Sequence, residues 1–171
     1  MKRLTLLAAA LLMPALTQAA PPPQDVKVGI GGSVRSDDAA IYLPIELSPA
    51  FRLEPFFAWS ETETTTGGAS FNSESRFLGA GGFFRMAVHE RVQTYVGGRL
   101  AYVEMEAGAM DVDGFSVEPT VGAEFFVTNR FSVALEAFLY RQELDGTNGG
   151  APTETESTGS DTRLLVRLFP F

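Results

Sequence analysis

The sequence predicts an all-β fold, specifically an eight-stranded antiparallel up-and-down transmembrane β-barrel, on three observations. Apolar and polar residues alternate with a period of two through most of the chain. Most alternating runs are about nine to fourteen residues long, beyond the five or six typical of soluble sheets and enough for a tilted strand to cross hydrocarbon. Short turns also alternate with longer polar connections, a regularity that a soluble sandwich has no reason to keep.

In chain order, Lys2 and Arg3 precede the apolar run LTLLAAALLM and the small-residue stretch ALTQAAPPP. A basic start, a short apolar segment and small residues near a cleavage point make a secretory signal peptide. We assign it to residues 1–19, with cleavage after Ala19 or Ala20, and the barrel domain to residues 20–171. The apolar run is too short to span a bilayer as a helix. The chain contains no cysteine, which excludes disulfides and a lipid anchor carried on that residue, so the core or a membrane must hold the fold. Its formal charge of −8 comes without a basic patch, which argues against nucleic-acid binding.

The strands are expected at 26–36, 39–47, 51–61, 75–86, 91–105, 114–127, 130–143 and 162–170. In the first, Gly29, Gly31 and Gly32 relieve crowding or strong curvature. In the second, Ile41, Leu43, Ile45 and Leu47 oppose Tyr42, Pro44 and Glu46. In the third, Phe51, Leu53, Pro55, Phe57 and Trp59 oppose Arg52, Glu54, Phe56 and Ala58. FSVEPTVGAEFFV and FSVALEAFL repeat the pattern around Phe115 and Phe131. Tight turns fall near Pro49, His89 and Asn129. The longer connections are TETTTGGASFNSE, EAGAMDVDG and DGTNGGAPTETESTGSD, the last read as a solvated acidic loop over 145–161.

The outward face carries aromatics in two bands. Phe51, Phe84, Phe125 and Phe131 lie near the tight turns, and Trp59, Tyr102 and Phe115 near the longer connections, as in the interfacial girdles of a membrane barrel. The same parity sends Glu46, Glu54, Arg99, Glu118, Glu124, Glu136, Arg163 and Arg167 inward. Eight strands leave an interior that side chains fill, so these residues are expected to form a structural charge network rather than line an open channel.

With its signal peptide, its eight strands, its VEPTVGAEFFVTNRFSVALEAFLYR pattern and its terminal Phe171, the chain resembles the small outer-membrane β-barrels of Gram-negative bacteria, the OmpA-type transmembrane domain and OmpX-like proteins. The resemblance implies an outer-membrane location among lipid and lipopolysaccharide, as a monomer. It also implies biogenesis through periplasmic chaperones and the barrel-assembly machinery, with Phe169 and Phe171 as the assembly signal. Counted back from the terminus in steps of two, however, the series meets Arg167 and Arg163 where that signal carries apolar residues. A peptidoglycan-binding module of the kind carried by long OmpA proteins is not expected.

No catalytic, cofactor or metal site is expected. His89, the single histidine, falls in a predicted turn without a nucleophile placed for it. DVDG at 111–114 lacks the further carboxylates of a calcium loop and reads as a loop with an Asp-Gly turn. The expected function is a non-catalytic structural or surface-interaction role in the envelope. The alternatives are a narrow porin-like channel and a soluble periplasmic calycin-like ligand-binding barrel.

Overall fold

The computed structural model describes residues 26–35, 38–66 and 69–170. The segment assigned to the signal peptide and the terminal Phe171 lie outside them. Ten strand segments follow one another: β1 (Lys27–Val28), β2 (Ile30–Arg35), β3 (Asp38–Tyr42), β4 (Ile45–Ser48), β5 (Phe51–Thr66), β6 (Ala69–His89), β7 (Val92–Ala107), β8 (Met110–Phe126), β9 (Phe131–Asn148) and β10 (Ala151–Leu168). They make up eight staves, because β1 and β2 are one stave interrupted at Gly29, and β3 and β4 are another interrupted at Leu43 and Pro44. Pro44 and Pro55 lack an N–H and lie where β5 passes from β3 to β4, so the ladder breaks there. Leu43 N–H still donates to the Pro55 carbonyl (2.9 Å), and Gly29 N–H to that of Pro44 (2.8 Å).

All pairings are antiparallel, and they close on themselves. Each stave from β5 to β10 pairs with the next, β10 pairs with β2, β2 with β3, and β3 with β5. Closure satisfies backbone groups that hydrocarbon cannot, and it leaves no edge at that depth. Period-two alternation then sorts the side chains. Leu78, Leu100, Val121, Leu135 and Leu164 point out with more than half their surface exposed, while Tyr42, Phe83, Tyr95 and Leu165 are buried inside. On β7 the outward apolar run extends from Val92 to Tyr102, on β6 from Leu78 to Val88 and on β9 from Phe131 to Leu139. Each is close to the ~9–11 residues a tilted strand needs.

Beyond that belt the strands continue, and here the structure corrects the sequence reading. The stretches read as loops are mostly paired strand. β9 and β10 run in register from the Leu168–Phe131 pair to the Ala151–Asn148 pair, so 145–161 is a hairpin and not a loose acidic loop. Its turn is Gly149–Gly150, both with positive φ (59° and 84°), a conformation glycine adopts without a side-chain clash. DVDG lies inside β8, and the turn before it is Gly108–Ala109. Alternation faded from the sequence here because both faces of the extension meet water on the outside and a partly polar interior within. Among the described residues, the buried Val103, Val112 and Leu144 form a second small core inside it.

The wall is uneven in height. The β2–β3 hairpin stops at Arg35 and Asp38, whereas its neighbours continue. Above Leu164, β10 therefore has β9 on one side and no strand on the other among the described residues. Above Ser60, β5 is likewise paired only with β6.

Leu135 projects from the middle of the belt and is 59 % exposed. Leu135→Arg is expected to cost about 2–4 kcal/mol of folding stability in lipid vesicles, read by denaturant titration. In a water-soluble barrel the same surface change would stay within about 0.5 kcal/mol, so a small loss would refute the assignment of the outer face to lipid.

Candidate functional site

The lumen holds the charges that parity sends inward, stacked in layers along the barrel. At the turn end, Arg85 pairs with Glu46 and donates to the Ser48 carbonyl (2.8 Å). Next, Arg52 Nη1 donates to Glu124 Oε2 (2.7 Å), whose other oxygen accepts from Ser132 Oγ (2.5 Å). In the centre, Arg99 bridges two carboxylates, Nη2 to Glu54 Oε1 at 2.6 Å and Nη1 to Glu136 Oε2 at 2.8 Å. Arg167 Nε reaches Glu54 Oε2 at 3.0 Å, and Tyr95 OH donates to Glu136 Oε1 at 2.9 Å. Towards the hairpin end, Arg163 pairs with Glu118 and donates to Tyr42 OH (3.1 Å), which shares a hydrogen bond with Ser33 (3.0 Å).

The structure thus brings together Glu46, Glu54, Arg99, Glu118, Glu124, Glu136, Arg163 and Arg167, and adds Arg52, Arg85, Tyr95 and Ser132. Arg52 and Glu54 sit two residues apart on one strand, and that spacing was the signal that could have placed Arg52. Arg85 has the parity of Phe83 and opposite parity to the outward Phe84. Side chains of Arg52, Glu54, Arg99, Glu124 and Glu136 are fully buried. Not every guanidinium nitrogen finds an acceptor: Arg52 Nη2 and Arg99 Nε have no hydrogen bond. Aromatic faces take their place, with Arg52 Cζ 4.9 Å from the Tyr95 ring centre and Arg99 Cζ 4.7 Å from that of Phe83. Such contacts gain strength where the cation is buried, as Arg52 and Arg99 are.

Gly29 and Gly31 face inward, where a Cβ would press on Phe169 and Arg167 respectively, while a Cβ at Gly32 would meet only the Ala40 carbonyl, at 3.5 Å. Crowding therefore accounts for the first two glycines and not for the third. Phe169 is also turned inward and buried, its N–H bonded to the Arg130 carbonyl (2.7 Å). It helps close the turn end of the lumen and adds nothing to the outward apolar series. The aromatics assigned to the outward face make contacts along the wall. Phe51 packs on Phe84 (5.3 Å between ring centres) and Tyr102 on Phe115 (5.8 Å), with Tyr102 OH donating to Asp113 (2.8 Å). Trp59, Phe125 and Phe131 also lie on the outer face, Phe131 half-buried. His89 is exposed at the end of β6.

Above the Arg163–Glu118 pair, a cavity of about 210 Å³ opens inside the wall. Its sides carry Phe56, Phe77 and Phe138, and its upper rim Tyr140, Gln142 and Ser157. The ring of Tyr140 lies over Gly159, where a Cβ would come within 2.5 Å of the phenol oxygen, so Gly159 is what lets this ring lie against the wall.

Removing one partner from a buried charge network strands the others. Arg99→Leu, which takes from Glu54 and Glu136 one of the two arginines they share, is expected to cost about 3–5 kcal/mol and to lower the temperature at which the compact electrophoretic band is lost. Arg141→Leu removes an exposed ion pair with Glu143 and is expected to change stability by less than about 1 kcal/mol. Equal effects of the two would contradict a buried network.

No family model matches the chain, and no curated protein is significantly similar to it in sequence. Solved structures do match. Neisserial surface protein A (NspA) aligns over 84 % of this chain and 94 % of its own, at 12 % identity and a TM-score of 0.60. The outer-membrane protein AlkL, solved in lipid bilayers, aligns over 92 % of both chains at 12 % identity and a TM-score of 0.47. Ail of Yersinia pestis aligns over 84 % of this chain and 93 % of its own at 11 % identity and a TM-score of 0.42. The NspA likeness is one of fold, and together with the closed strand pairing it gives the chain the architecture of an eight-stranded transmembrane β-barrel.

Proposed function

We propose that the chain is an integral outer-membrane β-barrel protein of the OmpA/OmpX-like kind, monomeric, non-catalytic and non-conducting, which acts in envelope integrity and surface contacts. One observation carries this reading: charged and aromatic side chains fill the lumen layer upon layer within the apolar belt, while strands continue past the belt as a protruding sheet. Ions crossing the belt would have to part Arg–Glu bonds between fully buried side chains. The paired extension beyond the belt gives the molecule a stable surface outside the bilayer, where β5 and β10 each present a free edge. The apolar exterior of the belt weighs against a soluble ligand-carrying barrel.

In this reading residues 1–19 serve export, outer-membrane lipid and lipopolysaccharide surround the belt, and the chaperones and assembly machinery of the envelope deliver the chain. Both described ends of the chain, Val26 and Pro170, lie at the turn end, which faces the periplasm.

The chain has no cysteine, so a single introduced thiol reports its own accessibility. Asp145→Cys is expected to react with a membrane-impermeant maleimide on intact cells, and Asn129→Cys only after the envelope is opened. The purified barrel is expected to give no conductance steps in planar bilayers. Discrete steps would establish a channel instead, reversed labelling would invert the orientation, and recovery of the protein from the soluble periplasmic fraction would overturn the membrane assignment.

A further inference from the structure

The cavity above the Arg163–Glu118 pair has a composition the barrel itself does not require. A wall segment that only needed filling could close with larger apolar residues, as Val103, Val112 and Leu144 do nearby. Instead, space of about 210 Å³ is kept between aromatic faces and a set of donors and acceptors. At its floor both charges of the ion pair remain within reach of solvent, with side-chain exposures of 9 % for Arg163 and 12 % for Glu118.

Access comes from the uneven wall. The cavity is lined by Ser33 and Ala40 at the top of the β2–β3 hairpin, by Ala58 on β5 and by Ser157 on β10. That is the sector where β5 and β10 rise without a strand between them. The floor of this gap lies at a defined depth. Asp38, the first residue of β3, pairs with Ser60, the next residue after Trp59, and Trp59 bounds the outward apolar run of β5. The gap therefore begins where the apolar belt ends, in the headgroup layer of the outer leaflet.

Four kinds of occupant differ in chemistry, an acyl chain, an anion, a cation and a neutral ring, and the lining separates them. An acyl chain would shut water away from Gln142, Ser157 and the partly exposed Arg163–Glu118 pair without offering any of them a hydrogen bond, which is costly. An anion would have to pass exposed Glu61, Glu63, Glu154 and Glu156 on the flanking strands, and a cation would meet Arg163, whose guanidinium already covers Phe138 at 3.9 Å. A neutral hydroxylated ring matches every wall. Its C–H faces pack on Phe56, Phe77 and Tyr140, and its hydroxyls can both donate to Glu118 and accept from Arg163, Gln142 and Ser157. The volume is below the roughly 300–1,000 Å³ of drug-sized sites, which limits the occupant to about one ring.

We propose that this cavity is a binding site for a single neutral sugar ring, entering sideways over the β2–β3 hairpin from the headgroup layer. The ring can belong to a membrane glycolipid or to a soluble saccharide. The inference uses the outward orientation of the hairpin end, and the thiol-labelling experiment tests that orientation separately.

The test is NMR of the folded, isotope-labelled barrel, titrated with methyl glucoside, methyl galactoside and methyl mannoside in phosphocholine micelles. A parallel series compares nanodiscs of phosphatidylcholine with and without a neutral monoglycosyl lipid. Saturable shifts are expected at Ser33, Ala58, Tyr140, Gln142 and Ser157, in one or both series. Shifts with the glycosides place the ring on a soluble saccharide, and shifts with the glycolipid alone place it on a membrane headgroup. Ala58→Trp, which fills the cavity without touching the buried Arg–Glu layers, is expected to weaken binding at least ten-fold. Ser157→Phe serves the same purpose if that variant does not give a heat-modifiable band. Absence of shifts in both series overturns the site, as does equal binding by a filled variant or a response to octane or tetramethylammonium in place of the sugars.

Discussion

Everything in this molecule follows from having its apolar surface on the outside. The usual driving force for a core, withdrawal of hydrocarbon from water, is spent on the contact with lipid, and the interior must hold together by other means. It does so by matching charge. Arg52, Arg85, Arg99, Arg163 and Arg167 are set against as many glutamates, Glu46, Glu54, Glu118, Glu124 and Glu136, and the layers beyond the Arg85–Glu46 pair share partners rather than standing as separate pairs. Glu54 alone lies within ion-pair distance of Arg52, Arg99 and Arg167. Such sharing matters because an isolated ion pair seldom repays its own desolvation, whereas in a network each carboxylate that has lost its water serves several cations. The aromatic rings of Tyr42, Phe83 and Tyr95 complete the arrangement by covering guanidinium faces that have no oxygen to meet.

Much of this was legible in the sequence because a strand sends alternate residues to opposite sides and lipid tolerates almost no charge. Arg99, Glu118, Glu124 and Glu136 could be placed from parity alone, and so could the outward Phe115 and Trp59. What parity could not give was height. Beyond the bilayer the outer face turns acidic, with Glu104, Glu143 and Glu156 exposed, the apolar signal vanishes, and a paired hairpin reads like a loop. The ladder between β9 and β10 continues through that region on backbone hydrogen bonds that no side-chain pattern announces. Arg85 was hidden for a related reason: it falls in the run FFRM, where neighbouring large apolar residues on both faces blur the alternation. Phe169 is the converse case, an aromatic near the chain end that faces the lumen because it keeps step with Arg167 and Leu165.

The cavity below the protruding sheet was legible only in pieces. Gln142 and Ser157 sit in stretches with no motif, Tyr140 merely stands next to last in the VEPTVGAEFFVTNRFSVALEAFLYR pattern, and Glu118 could be read from sequence only as one more lumen charge. Three-dimensional closure brings β2, β3, β5, β9 and β10 to one place, and the short β2–β3 hairpin leaves the space accessible. Connection length in the sequence therefore carried structural meaning opposite to the obvious one: the two residues expected between the first and second strands make the opening, and the long stretch 145–161 makes the wall.

That uneven wall also has a mechanical side. Among the described residues, the join between the first and last staves is held only from Leu164 to Leu168 on β10, whereas the sequential hairpins from β5 onward are paired along most of their length. It is also the join that links residues farthest apart in the chain, with the largest loss of chain freedom on closure. A barrel built this way has one weak vertical line, along which it shuts last during insertion and parts first under lateral stress. Arg167, standing beside that line and reaching across the lumen to Glu54 and Glu124, works as a tie-rod that bears on the opposite wall and keeps the cylinder shut.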